Sequence, residues 1–290
     1  MATIPYIAGL TIKPNSVSAL GVVTFTDGTN DITPNQSQCE AYGYTYDIAS
    51  GTCSSFRFNT NLERNISNIG NKFNGAGNST ELGSNTVQIN GENNTTRGFN
   101  NNCLINGSAN EIVNGVSNAV VFGTHGEART QAEVTIGGGK RSLTGGEATL
   151  ISRRKTSTIE LSGVTQDNTA TNLTVQGDGS SYINVEANSI IGYDIYITRL
   201  ELGGSAGVAG NYSYRNIRGA VKIDNSLTMS FIVGFNRNIA KIGINATCIM
   251  ADSTTGGVPS ISVNVQDRVN VHNLWSASVT LHEVISTTTF

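Results

Sequence analysis

Three near-identical segments decide how this chain folds: Gln88-Ile89-Asn90-Gly91, Leu104-Ile105-Asn106-Gly107 and Ile112-Val113-Asn114-Gly115. Around them glycine recurs at Gly75, Gly83, Gly91, Gly98, Gly107, Gly115 and Gly123, at spacings of 8, 8, 7, 9, 8 and 8. An apolar residue stands one or two positions before most of these glycines: Phe73, Leu82, Ile89, Ile105, Val113 and Phe122, with Arg97 breaking the series. A short fixed period is the signature of a coil built from strand-and-turn units. Glycine supplies the positive-φ corner, and the asparagine before it tolerates left-handed backbone. The apolar residue is expected to point inward, and two units, about 16 residues, make one coil. A coil this thin buries little apolar surface by itself. Three parallel coils around one axis, a homotrimer, are therefore the expected form, with those glycines as its turns and those apolar residues as its shaft core.

Asparagine fills 18 of the 60 positions from 59 to 118. Turn chemistry together with stacked amide ladders accounts for them; an ion or ligand held by polar rings on the threefold axis is the alternative. The rest of the chain is organised around this shaft of residues 59–126. Residues 1–58 form an N-terminal docking segment, in which Ala19 to Phe25 reads as a strand, Asp27-Gly28 as a turn and Asn30 to Gln38 as a polar loop. Residues 127–156, with Gly137-Gly138-Gly139, Lys140-Arg141 and Arg153-Arg154-Lys155, read as a neck carrying a solvated basic collar. Residues 157–290 alternate polar and apolar in short segments such as Thr158–Ser162, Ile190–Glu201, Tyr212–Ile223, Lys241–Met250 and Ser276–Val284, parted by glycine and Asp/Asn turns. That pattern predicts an all-β sandwich, jelly-roll-like, with Trp275 as a core anchor just before the last strand.

Composition excludes several functions. Charged residues make up 13% of the 290, and the net charge of -3 offers no footprint for nucleic acid. No apolar run is long enough to span a bilayer. Met1 to Leu10 lacks the basic start and apolar core of a secretory signal, so the chain reads as one that folds in a cytoplasm. There, Cys39, Cys53, Cys103 and Cys248 are expected as free thiols, a 39–53 bridge formed after release being the alternative. His125, His272 and His282 have no partner at metal-ligand spacing, and no metal or cofactor is expected. Gly139-Lys140 fails the phosphate-loop pattern, because Arg141 replaces Ser/Thr and position 134 is not glycine. Asp178, Glu186, Asp194, Glu201 and Asp224 are the carboxylates a glycosidase would draw on. Their places at turns and on alternating strand faces point to solvation, and no enzyme is expected.

The Asn/Gly repeat resembles the left-handed parallel β-roll of trimeric autotransporter adhesin heads, whose repeats are shorter and richer in Ala and Ser. The C-terminal part is similar to modules of tailed-phage fibre proteins, including those of crAss-like phages. The residues that carry this are Thr171-Asn-Leu-Thr-Val-Gln-Gly-Asp-Gly179, Asn188-Ser-Ile-Ile-Gly192, Leu202-Gly-Gly-Ser-Ala-Gly-Val-Ala-Gly-Asn-Tyr212, Arg218-Gly-Ala220 and Trp275-Ser-Ala-Ser-Val-Thr-Leu-His-Glu-Val284. The resemblance implies a trimeric virion fibre made in the bacterial host cytoplasm. Its N-terminal segment would dock on a capsid or tail protein, with capsid attachment (a head fibre) preferred over a short tail fibre. A host-surface glycan is the implied further partner. The competing readings are a bacterial surface adhesin and a glycan-degrading spike.

Overall fold

The computed structural model describes residues 5–18, 21–48, 50–55, 70–81, 83–142, 151–286 and 289, with backbone alone at 141, 142, 151 and 152. The chain divides into two compact units, residues 1–66 and 67–290.

In the first unit, β1 (Lys13–Val17), β2 (Val23–Thr26) and β3 (Asp31–Ile32) form an antiparallel sheet. The helix α1 (Gln36–Ala41) follows, then the hairpin β4 (Thr45–Asp47) and β5 (Thr52–Ser54). The helix corrects the polar loop expected over 30–38. Asn35 Oδ1 accepts from the Gln38 amide at 2.9 Å and Gln38 Oε1 accepts from the Asn35 amide at 2.9 Å. This reciprocal cap satisfies two otherwise orphaned donors. Phe25, fully buried, meets Tyr42 and Tyr44 edge-on at 5.5 and 6.2 Å. α1 and β5 bring Cys39 and Cys53 together in this core as a disulfide, which corrects the expectation of free thiols there. Cys103 and Cys248 are free and buried.

The second unit opens with long and two-residue strands in alternation: β6 (Lys72–Asn74), β7 (Ser79–Thr80), β8 (Asn85–Glu92), β9 (Thr95–Thr96), β10 (Asn101–Ser108), β11 (Glu111–Ile112), β12 (Val120–Thr124), β13 (Glu127–Ala128) and β14 (Val134–Ser142). Long strands pair in parallel with long ones and short with short. Partners lie 16 residues apart, as in Phe73, Ile89, Ile105 and Val121, or Thr80, Thr96, Ile112 and Ala128. This is a β-solenoid of about four turns. The last step, Val120 to Val134, shortens to 14.

Ile89 and Ile105 are fully buried, and Phe73 and Val113 pack against them partly exposed. Phe122 is 38% exposed and does not enter the coil. Val121, 16 residues after Ile105, takes the inner place, and Phe122 aligns with Asn106 outside. Leu82 lies outside the described residues. The stacked coils of one chain close around a shared core of Val87, Ile89, Ile105, Ile112 and Val121. The solenoid of one chain therefore does not need two other chains to bury its interior, which corrects the argument from coil thinness.

All seven repeat glycines have positive φ, from +77° at Gly115 to +142° at Gly107. The two corners of the coil differ. At one, Gly75, Gly91, Gly107 and Gly123 stack so closely that a Cβ on Gly107 would have to displace the Gly123 carbonyl. At the other, the stacked positions are 83, 99 and 115, where Phe99 itself adopts φ +50°.

The remaining strands are β15 (Ile151–Thr165), β16 (Thr171–Asn172), β17 (Thr174–Val175), β18 (Ile183–Asn184), β19 (Ser189–Gly203), β20 (Tyr212–Ile223), β21 (Met229–Ile242), β22 (Thr247–Asp252), β23 (Ser260–Gln266) and β24 (His272–Ser286). One sheet runs β21-β20-β19-β24-β15-β14-β12-β10-β8-β6, antiparallel at the first end and parallel at the other. The smaller sheet β16-β23-β18, with β22 beside β23, covers its antiparallel part. The core between them joins Ile195, Ile197, Ile217, Val221, Val263 and Val279. Two expectations are corrected. Residues 127–156 are not a neck, because β13 completes the last coil and β14 and β15 carry the sheet onward. Lys241–Met250 is not one strand, because the chain turns at Gly243 with φ +94° between β21 and β22. Trp275 lies inside β24, opposite Gly163, and is 3% exposed; its Nε1 donates to Thr165 Oγ1 at 2.9 Å.

Candidate functional site

Strand alternation places odd-numbered residues of β15 and β24 on the inner face. Where this face meets the end of the solenoid, the inner positions become charged: Lys155 on β15 and Glu283 on β24, facing Glu127, Arg129 and Glu133 from the last coil. Arg129 is surrounded by carboxylates, with Nε 2.7 Å from Glu127, Nη2 2.9 Å from Glu186 and Nη1 3.0 Å from Glu283. Lys155 Nζ is 2.8 Å from Glu133 and 3.5 Å from Glu283, and donates to the Glu127 carbonyl at 2.8 Å. Arg153 bridges Glu127 and Glu186. The basic segment is thus no solvated collar at Arg153 and Lys155: both are committed to this cluster, which ties the solenoid to the sandwich.

Burial opposes the charge of Glu133, but Lys155, Ser157 and the Arg129 amide overcome it and hold its carboxyl down at about 2. Burial likewise opposes the charge of Glu127, and Arg129 and Arg153 outweigh it, so that its carboxyl lies below the usual range. Both are acceptor-only groups at neutral pH.

Above this cluster lies a groove of about 320 Å³. One wall is the coil edge Val113–Val116 with Gln131; the other is Ser180–Tyr182 with Thr255 and Val258; Arg129 is its floor. Gln131 is bound to its own coil, donating to the Gly115 carbonyl at 2.6 Å and accepting from the Ser117 amide at 2.8 Å. The Ser180 and Ser181 side chains are engaged by Asp178 of their own turn, which leaves the Asn114 amide and the Tyr182 hydroxyl as the polar groups facing the groove. The lining is apolar patches, one aromatic ring and neutral donors and acceptors. Its single cation is already neutralised by Glu127, Glu186 and Glu283. Such a surface fits a ligand that alternates C–H and O–H faces and carries little charge.

The carboxylates singled out in the sequence are not brought together. Asp178 accepts the Ser180 and Ser181 amides of its own turn, and Asp224 those of Ser226 and Thr228. Asp194 pairs with Arg218 at 3.0 Å, and Glu201 is buried beside Arg199 and Arg268. Glu186 alone joins the junction cluster, where its partners, 33 and 57 residues away, gave no local signal. Among the described residues there is no group of three His, Cys, Asp or Glu able to hold a metal, and no helix long and apolar enough to cross a membrane.

No protein-family model matches the chain, and no curated protein matches it. Two solved structures are similar to it. The tailspike protein of Acinetobacter baumannii phage AM24 has 9% identity and a TM-score of 0.25, over 75% of this chain and 52% of that one. Tailspike protein gp49 of Acinetobacter baumannii bacteriophage Fri1, described as a capsular polysaccharide depolymerase, has 10% identity and a TM-score of 0.22, over 72% of this chain and 46% of that one. The chain thus spans about half the length of either. The expectation of no enzyme is withdrawn on the second finding.

Proposed function

We propose that this chain is a fibre or spike component of a phage particle, self-associating as a homotrimer, with residues 1–58 docking it on a capsid or tail protein. The observation that carries the reading is the unbroken sheet from β6 to β21. It makes a rod of stacked coils and a sandwich knob one stiff body, as a projection under load requires, and the buried cluster around Arg129 and Lys155 locks their junction. If the reading holds, the chain is found by mass spectrometry in purified particles of the phage that encodes it, and an antibody against it marks a projection on the capsid or the tail. Purified infectious particles without it would overturn the reading.

The groove at the junction favours a second element: contact with a host-surface polysaccharide. Asn114 and Tyr182 would supply hydrogen bonds and a ring face to a sugar unit. Weak single sites on several copies would gain from avidity on a repetitive polymer. Incubation with capsular polysaccharide tests this directly. Polymer retained intact marks an adhesin; release of shorter chains with new reducing ends marks a depolymerase; no retention by either the chain or its Tyr182→Ala variant removes the groove from the account.

A further inference from the structure

The sequence holds four Asn-Gly pairs, at 74–75, 90–91, 106–107 and 114–115. Asparagine before glycine is chemically labile, because no side chain on the glycine hinders its backbone nitrogen from attacking the asparagine side-chain carbonyl. That attack needs rotation about the asparagine Cα–C bond. Extended backbone in a paired strand does not allow it unless the ladder opens. The fold holds three of the pairs in this way. Asn90-Gly91 and Asn106-Gly107 lie inside β8 and β10, and both asparagines have a paired strand on either side. Asn74 ends β6, and its Nδ2 donates to Asn90 Oδ1 at 2.8 Å. Gly75, Gly91 and Gly107 each lie against the carbonyl of the glycine one coil on, without room for a methyl group.

Asn114-Gly115 differs on each count. It stands between β11 and β12, outside any strand, and both residues are exposed. The Asn114 amide has no hydrogen-bond partner among the described residues. Apart from chain neighbours, nothing lies within 4 Å of where a Gly115 Cβ would stand. Two backbone bonds tie the turn: the Gly115 amide to the Gly98 carbonyl at 2.9 Å, and the Val116 amide to the Val113 carbonyl at 3.4 Å. The Gln131 bond to the Gly115 carbonyl belongs to the next peptide and can stay closed.

We propose that Asn114-Gly115 is a site of spontaneous deamidation in the native fold, and that the product turns the junction groove from neutral to acidic. The Gly115 nitrogen gives its proton to solvent base and bonds to Asn114 Cγ, and the side-chain nitrogen leaves as ammonia. Water then opens the cyclic imide at either carbonyl, to aspartate or isoaspartate. One water is consumed, one ammonia is released, and nothing is oxidised or reduced. Arg129, the only charged residue lining the groove, is already matched by Glu127, Glu186 and Glu283. A carboxylate at position 114 is therefore uncompensated, and it replaces a donor. The consequence for binding rests on the groove as a polysaccharide contact: an aged chain would hold an acidic polymer less well.

The test ages the full chain at mildly alkaline pH, folded and in urea, and locates deamidation by peptide mass mapping. Breaking each one or two extra hydrogen bonds slows the reaction about tenfold, so in the folded chain Asn114 should react at least about tenfold faster than Asn74, Asn90 or Asn106. In urea the four should react at similar rates. A folded chain in which Asn114 is no faster than the other three overturns the site. The consequence is read on Asn114→Asp, checked for folding by circular dichroism, against the unaged chain on immobilised acidic capsular polysaccharide. Retention about tenfold weaker is expected. Equal retention overturns the effect on the groove. An unaged chain that retains no polymer overturns the groove reading and this consequence with it, while the peptide map still decides the site.

Discussion

The side-chain amide of Asn110 donates to Asn94 Oδ1 at 3.1 Å, one coil below, and both residues are buried. Asn94 in turn donates to Asn78 Oδ1 at 3.0 Å. The same Asn94 oxygen also accepts from the Asn110 backbone amide at 3.0 Å, and each ladder amide caps a glycine carbonyl: Gly91, Gly107 and Gly123. The ladder therefore helps satisfy the polar backbone of the tight corner.

Asn94→Ala leaves the Asn110 amide and the Gly107 carbonyl unpaired inside the coil. At ~1–3 kcal/mol for each buried unsatisfied group, a loss of roughly 2–6 kcal/mol is expected. Asn78→Ala, at the open end of the ladder, should cost less. Urea unfolding followed by circular dichroism measures both; equal, small losses would show that the ladder is not what holds the corner.

The two glycine corners should respond differently to a methyl group. Gly107→Ala drives a Cβ into the Gly123 carbonyl, and the coils must separate. Gly115 has φ +77° but open space around its Cβ position. Gly115→Ala should cost about 1 kcal/mol, the price of left-handed backbone alone, and Gly107→Ala several times that. Thermal melting of the two variants compares them.

Acid should weaken the junction in a defined window. Glu133 has its carboxyl held down at about 2 in the fold, against an ordinary value of 4.5. A depressed carboxyl contributes stability that is fully present above the ordinary value and lost as pH falls toward the folded one. Its loss between pH 4.5 and 2 is on the order of 3 kcal/mol. Glu133→Gln should flatten the dependence of the melting temperature on pH in this window, and also lower stability at neutral pH, where Lys155 loses its nearest carboxylate. An unchanged acid profile in Glu133→Gln would assign the acid loss to other groups.

Reduction should act on the first unit alone. Opening the Cys39–Cys53 bridge, with a sequence separation of 14, releases a loop whose closure is worth ~3 kcal/mol. Burial raises the Cys103 thiol and pushes the Cys248 thiol up to about 11, so both should resist thiol reagents in the native state. Two cysteines labelled after mild reduction, and four after denaturation, is the expected result by mass spectrometry.

The coil was legible because its corners leave little choice of residue: glycine where backbones touch, asparagine where a buried carbonyl needs a donor. Which of two adjacent apolar residues points inward was harder. Val121 and Phe122 are equally apolar, and only the register of 16 from Ile105 selects Val121. The helix α1 had a visible signal, Asn35 three residues before Gln38, hidden in a stretch that otherwise reads as loop. The junction could not be read locally. Arg129 and Glu283 are 154 residues apart and meet only because β14 and β15 join two kinds of sheet. The basic segment therefore looked like a solvated collar until its carboxylates were in place.

The most direct measurement is the mass of the native full-length chain in dilute neutral buffer by sedimentation equilibrium. Three times the 30.5 kDa of one polypeptide is the predicted value. A species of one polypeptide at micromolar concentration would contradict the account.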